Sequence, residues 1–194
     1  MLHIPQYKEP KTFFQLRLGA GPKAAVYSLS NDYVVKVRID GWGPFQEILR
    51  TDAAEFALNS NFRVLDELYH RGISVPKPIG LYRVKIRPID LRQSSVWFHP
   101  SILTRPFSYP GIVLQRVHGK FIGNTPKELR KKLTELALEE ASKAIIAGLD
   151  FSISDFDPTN NAMWDGKKVI LTGLDYYISG VFRESPKKPT SKSN

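Results

Sequence analysis

The chain contains no cysteine. Disulfides, Cys-ligated zinc and iron–sulfur clusters are therefore excluded, and the composition fits a reducing compartment; the expected location is cytoplasmic. Its four histidines, His3, His70, His99 and His118, have no metal-ligand spacing. No apolar run approaches the ~20 residues that cross a bilayer, so no membrane span is expected. The opening residues, MLHIPQYKEPKTFF, lack the basic-then-apolar order of a secretory signal. No internal repeat is visible. Acids are in short supply: 19 Asp and Glu face 28 Lys and Arg, a formal charge of +9. Such an excess favours polyanionic partners, nucleic acid among them. Basic residues spread along a chain also serve plain solubility.

What is present suits one domain, or one domain in two lobes: 194 residues, 42% of them hydrophobic. FFQLRLGAG reads as a short strand running into glycines. AAVYSLSNDYVVKVRI is two β-branched and aromatic runs split by a turn, a hairpin signal. Ala54, Leu58, Phe62, Leu65 and Leu68 recur at helical spacing, so a helix runs from about Thr51 to Arg71. Thr51 or Asp52 can cap its start and Gly72 its end. ISVPKPIGLYRVKI is extended, and GIVLQRVHGKFI is an apolar strand that turns polar at Gln115. A second helix spans Pro126 to about Gly148, followed by a polar loop and a hairpin with an Asp-Gly turn. RPIDLRQSSVWFHPSILTRPFSYP is long, proline-punctuated and aromatic; it reads as an insertion packing on the sheet or as a partner surface. Residues 181–194 read as a disordered basic tail. Strands come first and helix later, which gives α+β with an N-terminal sheet lobe and a C-terminal helical lobe.

Three constellations carry chemistry. Gly19, Ala20 and Gly21, with Ala24 and Val26 following, have the spacing of a glycine loop whose backbone can approach a phosphate. The same residues also suit a turn between strands. Because a strand follows rather than a helix, the pattern fits a strand–loop–strand lid, not a dinucleotide fingerprint. Lys36 lies in a run of valines, Val34, Val35 and Val37. It is either a solvent-facing lysine on an alternating strand or one that reaches the α/β-phosphates of a nucleotide. In DFDPTNN, Asp155 precedes Asn160 by five positions, with Asn161 next and Pro158 between. That is either an Asx-rich turn or a loop in which Asp orients a hydroxyl and Asn binds metal. The last strand then delivers Asp175, a hard oxygen ligand suited to Mg²⁺.

In this order, from Leu16 to Gly180, the motifs resemble a minimal protein-kinase-like fold. They are most similar to RIO-type and related atypical kinases and to the aminoglycoside and lipopolysaccharide phosphotransferases. The resemblance implies a two-lobed domain over 1–180, with an N-lobe of about 12–117 and a C-lobe of about 118–180. It implies ATP and Mg²⁺ as cofactors. Gly19, Ala20, Gly21, Val26 and Lys36 would hold the nucleotide, and Gln115 and Val117 would lie in a hinge against adenine. Lys36 and Asp155 would be catalytic, and Asn160 and Asp175 would bind metal. A protein hydroxyl is the implied acceptor, so a protein substrate or partner is expected. There are departures. Ile153 and Ser154 precede Asp155 where the family has a histidine. Asn61 stands at the place of the helix glutamate, with Glu55 as a substitute. The metal aspartate could also fall on Gly173, two residues before Asp175. A pseudokinase scaffold, or a basic nucleic-acid-binding module using aromatics such as Trp42 and Trp97, are the competing readings.

Overall fold

A computed structural model describes residues 17–20, 24–38, 51–86, 107–149 and 153–174. Five strands form one antiparallel sheet: β1 Arg17–Ala20, β2 Ala24–Ser28, β3 Tyr33–Arg38, β4 Pro78–Ile86 and β5 Phe107–Gln115. Their order is β1-β2-β3-β5-β4, so β5 inserts between β3 and β4. The β2–β3 turn is tied locally. Ser30 Oγ accepts from the N–H groups of Asp32 (3.2 Å) and Tyr33 (3.1 Å), and Leu29 N donates to Tyr33 O at 3.0 Å.

Both faces of this sheet are buried, which explains why β3 does not alternate cleanly between apolar and polar. Ala25, Tyr27, Val35, Val37, Val84 and Val113 cluster on one face. Val34, Ile112 and Leu114 face the other way and join the larger core. Helix α1, Thr51–His70, packs on that second face against β4 and β5. Its buried stripe is Leu58, Asn61, Leu65 and Leu68, at successive three- and four-residue steps, while Arg63 and Glu67 stay exposed.

The second half holds α2, Lys127–Ile146, and a small antiparallel sheet of β6 Lys120–Phe121, β7 Ala162–Trp164 and β8 Val169–Leu171. Leu133, Ala137, Ala141 and Ala144 line the buried side of α2, the three alanines being small enough to let β8 approach. Both long helices end on a left-handed glycine, Gly72 (φ 80°) and Gly148 (φ 105°). In each, the next residue reaches back five positions: Ile73 N to Leu68 O at 3.0 Å, and Leu149 N to Ala144 O at 3.1 Å.

The loop after α1 ties the halves together. Arg71 Nη1 donates to Ala147 O (2.7 Å), Ser74 N to Glu140 Oε1 (2.6 Å), and Leu171 N to Ser74 O (2.8 Å). The class is α+β, with an N-terminal antiparallel sheet and one helix, as the sequence implied. β5 begins at Phe107, inside the stretch read as an insertion. Ser108, Tyr109 and Pro110 pair with Lys85, Val84 and Arg83 of β4. Pro110 is tolerated because it lies past the last β3–β5 pair, Val37 with Gly111, so that ladder does not need its missing N–H. No described helix is long and apolar enough to cross a membrane.

Candidate functional site

Strand register puts one row of residues across the sheet: Gly19 opposite Val26, Val26 opposite Lys36, Lys36 opposite Ile112, and Ile112 opposite Leu81. Direct cross-strand partners share a face. Lys36 is therefore flanked by Val26 and Ile112, with Val34 two residues along the same side. It is 6% exposed. A solvent-facing lysine is thus ruled out. β3 is an interior strand and Lys36 points into the face that meets α1 and the larger core. An ammonium in such surroundings is tolerated only beside groups that satisfy it. Gly19 and Ala20 belong to strand β1, with an irregularity between Arg17 and Gly19, and Ala20 pairs with Ala25. Gly21 lies outside the described residues.

At the end of β5, Gln115 is exposed and Val117 half-buried. Gln115 N donates to Lys77 O (2.9 Å) and Arg116 N to Asp32 O (2.7 Å), which fixes the chain as it leaves the sheet. Asn61, on the α1 stripe, is 7% exposed. The side chain of Glu55 is outside the described residues.

The polar loop is a 3₁₀ turn, Ile153–Asp155, followed by a one-turn helix α3, Pro158–Asn161. Phe156 is buried between them and anchors the loop. Asp157 is the N-cap and Pro158 the first helical residue, the favoured arrangement for both. Asp157 Oδ1 accepts from Thr159 N (2.9 Å) and Thr159 Oγ1 (2.6 Å), and its Oδ2 accepts from Asn160 Nδ2 (2.7 Å). These bonds, the Thr159 hydroxyl first, hold the Asp157 carboxyl below its ordinary range. Asn160 is exposed and turned to Asp157. Asp155 is the last residue of the 3₁₀ turn, which Phe156 N closes by donating to Ile153 O (3.2 Å); the Asp155 side chain lies outside the described residues, as does Asp175.

Asn161 behaves differently. It sits at the junction of α3 and β7, and its carbonyl accepts from Thr172 N (2.8 Å) and Gly173 N (3.2 Å). Its side chain lies over Gly173. A Cβ built on Gly173 would be 2.6 Å from Asn161 Cγ and closer still to Oδ1. Gly173 is thus the residue that lets Asn161 occupy this spot. The two adjacent asparagines thus point apart, Asn161 to Gly173 and Asn160 to Asp157. Among the described residues, no group of three or more His, Asp or Glu side chains is placed to hold a metal.

No family model matches the chain, and no curated protein does. Solved structures do match. One is a Stt7 homolog from Micromonas algae, soaked with ATP, at 14% identity and a TM-score of 0.43. The match covers 89% of this chain and 55% of that one, so this chain spans about half the other's length. A likeness of that degree says nothing of activity.

Proposed function

We propose that the protein binds ATP beneath the five-stranded sheet and transfers its terminal phosphoryl group to a hydroxyl, most simply a protein Ser or Thr. The observation that supports this is the registered row of Gly19, Val26 and Lys36, with Lys36 buried on the inner face. A glycine at the rim lets a phosphate approach the backbone. Val26, only partly buried, offers apolar surface to a base, and Lys36 offers a cation to the phosphates. ATP, when bound, supplies the activated phosphoryl group. Asp155 is proposed to hold the acceptor hydroxyl and take its proton.

Asp175, the carboxylate that the resemblance assigns to a magnesium centre, and the side chain of Asp155 lie outside the described residues. Mg²⁺ prefers carboxylate and phosphate oxygens. Asn160 is bonded to Asp157, and position 173 carries no side chain, its space being filled by a neutral amide. No step is therefore derived through a metal. The neutral, buried Asn61 at the place of the helix glutamate supports a second reading, a nucleotide-binding protein in which transfer is weak or lost.

Thermal unfolding with and without ATP tests the binding step. A ligand that binds only the native state raises stability by about 2.7 kcal/mol at 100 times its dissociation constant. Wild type is expected to show the shift and Lys36→Ala to lose it. Radiolabel transfer by wild type, abolished in Asp155→Ala, is the result for an enzyme. A shift without transfer selects the second reading, and no shift at millimolar ATP refutes both.

A further inference from the structure

Buried polar or charged residues are few among those described: Lys36, Asn61 and Thr125. Thr125 is accounted for, since its Oγ1 donates to Ile122 O at 2.6 Å and steadies the turn before α2. Lys36 is the cation of the nucleotide row. Asn61 is left over. It lies within α1 and is 7% exposed, and among the described residues no group hydrogen-bonds to its amide. Local rules disfavour it there. Asparagine is a poorer helix former than leucine, and a buried amide without partners forfeits the hydrogen bonds it had in water. The rest of the buried stripe, Leu58, Leu65 and Leu68, follows the ordinary pattern. A residue that breaks the helix preference and the packing preference together is expected where function outweighs stability.

Its position says which function. α1 lies on β4 and β5. Leu58, one turn before Asn61, and Leu65, one turn after it, belong to the same core as Val34 of β3 and Ile112 and Leu114 of β5. Ile112 is opposite Lys36, and Leu114 is opposite Val34. Asn61 therefore lies over the inner face of the sheet, on the side to which Lys36 points and above the strand paired with β3. Val26, the apolar surface offered to the base, is on β2, across Lys36 from β5. A phosphate held by Lys36 is thus closer to Asn61 than the base is. The polar side-chain atoms sealed without a partner are Ser74 Oγ and Arg130 Nε; the Asn61 amide is not one of them, so it keeps access to solvent. An amide carries two N–H donors, and a hydrogen bond from such a donor to an anionic oxygen is stronger than one to a neutral group.

We propose that the Asn61 amide donates to a phosphate oxygen of the nucleotide held by Lys36, and that asparagine stands at this position for that contact, against the stability of the free protein. This rests on the ATP reading above and adds a second phosphate-binding group to it. The test is thermal unfolding of wild type and Asn61→Leu, each free, with ATP and with adenosine. Leucine has the same branched side-chain shape and no polar atoms, so free Asn61→Leu is expected to melt at or above the wild-type temperature. Its affinity for ATP, read from the dependence of melting temperature on ligand concentration, should fall by about 10- to 100-fold, the loss of a hydrogen bond to a charged group. Adenosine, which has no phosphate, should shift both proteins equally. The contact is overturned if free Asn61→Leu melts below wild type, which marks the amide as structural. It is also overturned if ATP affinity is unchanged in the variant, or if the adenosine shift falls along with that of ATP. In those cases a wild-type shift with ATP leaves the nucleotide reading standing. No shift of wild type with ATP refutes that reading and this contact with it.

Discussion

Gly173 and Asn161 show how one missing side chain can decide what a site is able to do. A methyl group on residue 173 would overlap the Asn161 side chain, whose Cβ would lie only 2.7 Å away. Gly173→Ala should therefore destabilise the protein by about 1–3 kcal/mol, the usual range for overpacking. The strain belongs to the pair, so Asn161→Ala should relieve part of it. A double-mutant cycle by urea unfolding is expected to give a coupling of at least about 0.5 kcal/mol; additive effects would show that the two side positions do not meet. Lys36 is legible in the sequence as an oddity, a lysine among valines, but not as buried. Burial follows from β5 entering beside β3 and from α1 covering that face, and neither is written in the strand itself. The Asn-Asn pair is the reverse case, since both residue types were evident and only their partners in the fold, Asp157 and Gly173, separate their directions.

At the scale of elements, the polar loop holds its shape through Asp157. One carboxylate caps α3 and binds both Thr159 and Asn160. Asp157→Ala should cost about 1 kcal/mol, typical of a lost N-cap. The pH dependence has a definite sign. The folded-state pKa is depressed, so the carboxylate's contribution is present above the unfolded value of about 3.9. It is lost as pH falls through the lower folded value. The stability gap between wild type and Asp157→Ala should accordingly be constant near neutrality and shrink in acid, as followed by urea midpoints at several pH values. The two long helices were readable from their periodicity and their terminal glycines, because those are local rules. The start of β5 was not. FSYP has no apolar periodicity of its own and becomes strand only because β4 offers a ladder in register.

At the scale of the molecule, the sheet half and the helical half share a core, since Ile112 and Leu114 of β5 belong to the same cluster as Leu133 and Ala141 of α2. The loop after α1 reinforces this through Glu140, whose carboxylate accepts from Ser74 N in a partly buried setting. Glu140→Ala should cost about 1.5–3 kcal/mol, the range for a hydrogen bond to a charged group. Because the bond joins the halves, the variant should also broaden or split the unfolding transition. Wild type is expected to unfold in one step by both circular dichroism and tryptophan fluorescence. By itself the sequence determined the class, the two helices with their ends, the β2–β3 hairpin, the charge excess and the residue types of the candidate site. All of these rest on interactions a few residues apart or on composition. Only the tertiary structure decided that Lys36 lies in a row with Gly19 and Val26 and that Asn161 rather than Asn160 packs on Gly173. Such facts depend on strand order and register, which arise when distant segments bury their apolar faces together.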